Sequence, residues 1–219
     1  MDAGLRALSD DFNGTSLGPA WTVFNPQAAI YTVGDGGLIM IATGYSSWFG
    51  PMNGALVYKE VTGNFKATIT LKVSAASDSQ FVPDAAWHMG GLMARRPKPT
   101  GDGDENHVLI LLGGDGQGRA ALEHKDTADS GSNYFTYSWP SGQGQLRICR
   151  VNDDFVLRER ESRGSIWGGA RTFTRPDLPA TLQVGPAMFA GDSVRTDLMV
   201  VWDDVQFDDV SHVNECNAD

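Results

Sequence analysis

Two pairs of aspartates lie near opposite ends of the chain, inside segments that otherwise resemble buried strands. They are Asp10, Asp11, Asp203 and Asp204, in the strings LSDDF and VVWDDVQF. Because alternate residues of a strand share one face, we expect Asp10 to point the same way as Phe12, and Asp203 the same way as Val205. The pattern therefore predicts carboxylates that meet at the rim of a sheet formed by the first and last strands.

Carboxylates at such a rim need compensation, because a buried charge without a partner is costly. A divalent cation would supply it, and Ca²⁺ suits irregular sites of carboxylate and carbonyl oxygens. The sequence thus predicts a structural Ca²⁺ held by the four aspartates, although they could instead be solvated turn residues or pair with an arginine. The acids Asp102, Asp104 and Glu105 lack EF-hand spacing and are interpreted as a mobile acidic loop.

Aromatic residues concentrate where strand alternation does not account for them, mainly in two glycine-flanked segments predicted to be loops, 44–50 and 133–139. Exposed apolar rings mark interaction sites, and sugars stack their C–H faces on Trp and Tyr while their hydroxyls bind polar neighbours. The alternative is that these loops fold back and cap the edge of the domain. The candidate ligand-binding residues are Tyr45, Trp48, Phe49, Trp87, Tyr134, Tyr137, Trp139 and Trp167.

Polar residues on strand-like segments supply the candidates for catalysis. His88 and Arg95 share the run AWHMGGLMAR, and Glu123 and His124 share RAALEHK, where alternation puts Glu123 and Lys125 on one face and His124 on the other. A lone histidine carries little specificity, so a hydrogen-bonded structural role is the alternative for His88. The sequence contains no Gly-x-Ser-x-Gly elbow, His-Glu-x-x-His motif or phosphate-binding loop.

Composition limits the partners. The chain has 219 residues and a formal net charge of −10, which disfavours nucleic acid and anionic membranes because both require clustered Lys and Arg. No apolar run is long enough for a membrane-spanning helix. Neutral ligands such as carbohydrates remain compatible with this charge.

Period-2 alternation dominates the chain and predicts an all-β protein of about a dozen short strands, a sandwich or barrel. Only the string DAGLRALS, near the start, indicates a helix. We predict a leader at 1–8, a single β-sandwich domain at 9–210 and a polar tail at 211–219. The predicted strands are 37–43, 55–61, 65–74, 86–95, 107–113, 119–125, 181–190 and 196–207, with a hairpin formed by QLRICRV and FVLRERE around the turn NDD.

Four strings, in their order along the chain, resemble one family. They are DDFNGTSLGPAWTVFNP, GGLMARR…ENHVLILL, GQLRICRVNDDFVLRE and VGPAMFAG…VVWDDVQF. Together they resemble the concanavalin A-like, laminin-G-like jelly-roll modules of bacterial carbohydrate-active proteins. The resemblance implies a two-sheet antiparallel sandwich with a concave ligand-binding face, and a calcium ion that often joins the first and last strands.

The resemblance does not imply one activity, since this fold hosts lectins, binding modules, hydrolases and lyases. Retaining glycosidases need two carboxylates about 5 Å apart, which those of this fold place on a Glu-x-Asp-x-Glu strand. No such string occurs here, and the nearest acids, Glu159 and Glu161, alternate with arginines. Carbohydrate binding is therefore the leading hypothesis. The alternatives are a glycoside hydrolase or polysaccharide lyase, and a laminin-G-like protein-interaction module.

Two features bear on location. Cys149 lies in the strand-like run LRICRV and is interpreted as a small buried residue, while a pairing with Cys216 in the tail is left open. The string MDAGLRALSD shows no signal peptide. We nevertheless expect an extracellular or periplasmic protein, as the resemblance implies.

Overall fold

The chain folds into strands joined by short turns, with very little helix. The computed structural model describes residues 4–50, 52–98, 104–191 and 196–219. Within these ranges, 3₁₀ helices span Leu5–Leu8, Pro26–Ala28 and Val213–Asn217. The strands are β1 (Thr22–Phe24), β2 (Ala29–Gly34), β3 (Gly37–Ala42), β4 (Ala55–Thr62), β5 (Phe65–Ser74), β6 (Ala86–Arg95), β7 (His107–Asp115), β8 (Ala120–Ala128), β9 (Gly131–Ser138), β10 (Gln143–Val151), β11 (Asp154–Arg160), β12 (Arg171–Thr174), β13 (Thr181–Ala190) and β14 (Met199–Asp208).

The strands form two antiparallel sheets of seven strands each. Sheet I has the order β1-β4-β13-β6-β7-β8-β9, and sheet II has the order β12-β11-β10-β5-β14-β3-β2. The predicted all-β, two-sheet jelly-roll sandwich is confirmed. The hairpin predicted around NDD is present as β10 and β11, which pair from Gln145–Arg160 to Val151–Asp154.

The main core lies between the two sheets. Leu92, Ile110 and Leu122 of sheet I and Ile69 and Trp202 of sheet II are all fully or almost fully buried there. Each such side chain stabilises the fold by about 1.5–3 kcal/mol through removal of apolar surface from water. Alternate residues of the same strands point away from this core. On sheet I these residues form the outer face, which carries the candidate site.

The strands that the sequence did not predict lie at or near sheet edges. They are β1, β2, β9 and β12, of which β9 was interpreted as an aromatic loop. Strand β9 pairs only with β8 and is exposed along most of its length, so it shows none of the alternation that reveals a half-buried strand. The helix predicted in DAGLRALS is one 3₁₀ turn, and Met1–Ala3 lie outside the described residues.

The C-terminal residues pack on sheet II and are covalently fixed there. Cys149 and Cys216 form a disulfide whose Cα atoms are 5.6 Å apart, which resolves the pairing that the sequence left open. Arg147 Nη1 also donates to the carbonyl oxygen of Cys216 at 2.8 Å. The predicted domain limits stay a prediction, but the tail is bound to the sandwich by these contacts.

Among the described residues, no helix is both long and apolar enough to span a membrane.

Candidate functional site

The outer face of sheet I has two halves, and the first is covered by the segment that carries Trp48. We call this half, where Trp48 and Met52 pack on the strands, the covered half. Trp48 is 0% exposed and packs with Met93, Leu109 and Leu111 of β6 and β7. A Cβ at Gly54 would lie 2.3 Å from Trp48 Nε1, so this packing requires glycine at that position. Trp48 is therefore a structural residue rather than a ligand contact.

The second half, which we call the open half, presents a cluster of aromatic rings. Phe49 contacts Trp87, Tyr134 and Phe189 edge-to-face, with ring centroids 5.4–6.1 Å apart. Trp87 and Tyr134 also contact each other at 5.6 Å. We call these four residues the aromatic platform. Trp87 is 37% exposed and Tyr134 is 47% exposed, so the platform offers ring surface to a ligand.

Trp87 is displayed by a β-bulge in β6. The register with β7 shifts between Ala86 and His88, and Trp87 adopts a φ of 60°, which is unfavourable for a bulky residue. Gly191 packs against it, since a Cβ there would lie 2.8 Å from Trp87 Cβ, and Gly191 N donates to Trp87 O at 2.9 Å. Strained backbone of this kind concentrates at functional sites.

Two cavities adjoin the platform, and Trp87 lines both. One, of about 280 Å³, has Asp115 and Thr136 as its polar lining side chains. The other, of about 310 Å³, is lined by Tyr45 and Ser47 as well as by platform residues. Cavities with apolar walls and a few polar groups are typical of small-ligand sites.

A buried ionisable pair lies on the same face of β8. Glu123 is opposite Thr136 of β9, and neither of its carboxylate oxygens has a hydrogen-bond partner among the described residues. Burial raises the pKa of Glu123 to about 7, against the opposing attraction of Lys125. Burial likewise lowers the pKa of Lys125 to about 7.

Lys125 connects the two halves of the face. Its Nζ donates to Trp48 O at 2.6 Å and lies 3.2 Å from the centroid of the Phe49 ring. The lysine thereby anchors the segment that covers one half while it supports the platform of the other. His107, beneath Trp48, is buried and has its pKa lowered well below the usual value by burial and by neighbouring cations, so it is neutral.

Arg95 belongs to the covered half and is fully engaged. Its Nε and Nη2 donate to the carboxylate of Glu105 at 2.8 and 2.7 Å, and Nη1 donates to Gln183 at 2.6 Å. The interpretation of Glu105 as part of a mobile acidic loop is wrong, because it is the buried partner of this arginine. Of the other acids of that stretch, Asp102 lies outside the described residues.

The two histidines proposed for catalysis do not lie on the outer face. His88 is buried, on the same side of β6 as Leu92 of the core. His124 also faces the space between the sheets, where its Nε2 lies 3.0 Å from Glu159 Oε2. The four catalytic candidates are thus divided between two faces of sheet I, with only Glu123 beneath the open half.

The remaining aromatic candidates lie away from the platform. Tyr137 and Trp139 line a separate cavity at the sandwich edge. Trp167 lies against sheet II, stacked on the guanidinium groups of Arg147 and Arg160 at 3.8 and 4.2 Å. Of the eight aromatic candidates, Tyr45, Phe49, Trp87 and Tyr134 therefore come together at the platform.

The predicted meeting of the first and last strands is replaced by an isolated β-bridge between Asp10 and Val205 of β14, since β1 lies in sheet I and pairs with β4. Asp10 and Val205 exchange two N–H···O bonds of 2.9 Å. The predicted strand parity is wrong, because a bulge between Trp202 and Asp204 shifts the alternation and leaves Asp203 exposed while Val205 is buried.

The rim carboxylates are occupied by protein partners. Asp10 accepts from Phe12 N at 2.9 Å and from Trp21 Nε1 at 2.7 Å. Asp204 accepts from Arg163 and Gln206 at 2.8 and 2.6 Å, which is the arginine pairing left open above. Within the described ranges, no three acidic, histidine or cysteine side chains are grouped to hold a metal. These residues do not fit the predicted Ca²⁺ site, and the ion stays a prediction.

Sequence reasoning missed two residues that complete the site. Phe189 lies on β13 and reaches the platform through the pairing of β13 with β6, a long-range contact that no local pattern reveals. Lys125 was placed on the Glu123 face by alternation but was not assigned a role. The spacing of Glu123 and Lys125, which places opposite charges on one strand face, was the available signal.

No protein family matches the sequence, and no curated protein is detectably similar. Solved structures do match. A functionally unknown protein from Saccharomyces cerevisiae is 16% identical, with a TM-score of 0.66 over 88% of this chain and 98% of that one. A legume lectin-like domain from Entamoeba histolytica is 12% identical, with a TM-score of 0.60 over 92% and 99%.

A xylan β-1,4-xylosidase from Bacillus halodurans is 16% identical, with a TM-score of 0.65 over 92% of this chain. The match covers 39% of the xylosidase, so this chain corresponds to less than half of that protein. At these identities the likeness shows the fold alone. The chain is a two-sheet β-sandwich of the kind found in these three structures.

Proposed function

We propose that this protein binds carbohydrate on the open half of the outer face of sheet I. One observation carries the proposal: the strained bulge of β6 holds the Trp87 ring in the wall shared by two adjacent cavities. Exposed indole and phenol rings stack on sugar C–H faces. The polar side chains of Asp115, Thr136 and Ser47 offer hydrogen-bonding partners to sugar hydroxyls.

Two further findings support a glycan ligand. The structural neighbours include a lectin-like domain and an enzyme that acts on xylan. Two cavities side by side suit two successive rings of a sugar chain better than one isolated sugar.

The disulfide favours an oxidising compartment, which supports the prediction of an extracellular or periplasmic location.

Binding should be tested with soluble xylan first and then with a panel of plant and microbial polysaccharides, by calorimetry or affinity electrophoresis. We expect Trp87→Ala and Tyr134→Ala each to weaken binding by about tenfold or more, as for central aromatic contacts. Tyr31→Ala is the matched control, because Tyr31 is 38% exposed but lies on β2 of sheet II.

Equal affinities for Trp87→Ala and Tyr31→Ala would contradict the proposed site. Failure of every glycan to bind would contradict the function and would favour the protein-interaction alternative.

The second candidate is a glycan-active enzyme, and the specific observation in its favour is Glu123. A buried carboxyl with a pKa of about 7 is suited to proton transfer near neutral pH. Thr136 and Ala121, its neighbours across β9 and along β8, line the smaller cavity. Release of reducing ends or unsaturated products that is lost in Glu123→Gln would favour this candidate over binding alone.

A further inference from the structure

A third cavity lies between the sheets at one edge of the sandwich, on the opposite face of sheet I from the platform. It opens where β9, an edge strand of sheet I, lies near β12, an edge strand of sheet II. Its volume of about 290 Å³ is just below the range of about 300–1,000 Å³ typical of ligand sites, so it suits a single ring. We call it the edge cavity.

Residues on the inner face of β8 and β9 form one wall. Leu122 and Tyr137 are directly opposite each other, and so are His124 and Phe135, which places all four on the face away from the platform. His124 and Tyr137 have ring centroids 5.3 Å apart. The edge cavity therefore shares two strands with the proposed carbohydrate site but none of its surface.

His124 and Glu159 form a fixed pair in this wall. His124 is 3% exposed, and because a carboxylate only accepts, its Nε2–H donates to Glu159 Oε2 at 3.0 Å. This bond holds the Glu159 carboxylate in place. The second oxygen of that carboxylate, Oε1, accepts no hydrogen bond from any described residue. It is available to accept from a ligand hydroxyl.

Arg171 supplies a positive charge without an acidic partner. Its Nη2 donates to Tyr137 Oη at 2.5 Å, and its guanidinium lies 3.6 Å from the centroid of the Phe135 ring. No carboxylate of the described residues forms an ion pair with it. Because Tyr137 Oη already accepts from Arg171, its own hydrogen is free to donate outward.

These groups define the chemistry of the ligand. A cation beside a free phenolic O–H is complementary to a carboxylate, and charge-assisted hydrogen bonds of this kind are the strong ones. The Glu159 carboxylate is complementary to sugar hydroxyls, and Trp139, which also lines the edge cavity, offers a ring face. We propose that the edge cavity is a second ligand site, which binds one acidic sugar of the uronic acid class. The site is independent of the proposed function on the open half.

Titration with D-glucuronate and D-glucose tests this directly, because the two sugars differ only in the carboxylate at C6. In ¹⁵N-resolved spectra, glucuronate should shift the resonances of residues 137–139 and 169–171, and glucose should bind about tenfold more weakly or worse. Arg171→Gln should abolish the preference for glucuronate. Tyr137→Phe keeps the ring and should weaken glucuronate binding severalfold without unfolding the protein.

Two controls separate the edge cavity from other effects. Arg163→Gln removes an exposed arginine that pairs with Asp204 elsewhere, and it should leave glucuronate affinity unchanged. Trp87→Ala should also leave it unchanged, so that a failure of the carbohydrate site and a failure of the edge cavity are distinguishable. Equal binding of the two sugars, no binding of glucuronate, or shifts confined to Trp87 and Tyr134 would overturn the proposal.

Discussion

The covered and open halves belong to the same face of sheet I, yet they use aromatic residues in opposite ways. Trp48 in the covered half is completely buried and shields β6 and β7 from solvent. Trp87 in the open half is partly exposed at the junction of two cavities. The comparison teaches that residue type alone does not distinguish a buried structural ring from an exposed ring. The backbone that carries the ring does.

The largest expected effect concerns stability, and it belongs to the covered half. Trp48→Ala should lower the free energy of unfolding by about 3–5 kcal/mol, since it empties a closely packed volume. Trp87→Ala should lower it far less, because part of that ring is already in water. Urea denaturation of both variants measures the difference. Similar losses of unfolding free energy in the two variants would show that the covered and open halves do not differ in this way.

An intermediate effect should appear in the pH dependence of stability, through the Glu123–Lys125 pair that lies between the halves. Since the folded-state pKa of Glu123 is raised from 4.5 to about 7, the folded protein binds more protons than the unfolded chain within that window. Stability should therefore fall as pH rises from about 4.5 to about 7 on account of this group.

Glu123→Gln should remove the part of the fall in stability that is due to this group, measured as melting temperature against pH. The matched control is Glu161→Gln, an exposed carboxylate just after β11. An unchanged profile in Glu123→Gln would mean that Glu123 is ionised normally in the folded protein.

The smallest effect is expected at the rim, outside both halves. Asp10 and Asp204 are engaged by Trp21 and Arg163, so chelation with EDTA should change the melting temperature little. A marked decrease that added Ca²⁺ reverses would restore the predicted calcium site and would require the rim side chains to rearrange around the ion.

The fold was predictable because most strands are buried on at least one face. The alternation in β3 to β8 and the NDD hairpin are local features, and the structure has them where the sequence predicted them. Strand β9 was not predictable, because it is an edge strand exposed along most of its length. The bulge in β14 was equally hidden, and it reversed the expected direction of Asp203.

The site was predictable in part. Tyr45, Phe49, Trp87 and Tyr134 were singled out as ligand-binding candidates, and they come together across three distant segments. Their separation from Tyr137 depends on the pairing of β8 with β9, which places neighbouring aromatic residues on opposite faces. Arg95 and Glu105 could not be recognised as partners, since each is polar and their contact follows from the burial of both.

The most direct test of carbohydrate binding on the open half is a titration followed through tryptophan indole N–H resonances. The chain has six tryptophans, and Trp48 and Trp87 provide one reporter for each half. With a soluble xylan oligosaccharide, or whichever glycan of the panel binds, the Trp87 indole signal should shift in proportion to occupancy while that of Trp48 stays in place. Binding that leaves the Trp87 signal unmoved would contradict the proposed site.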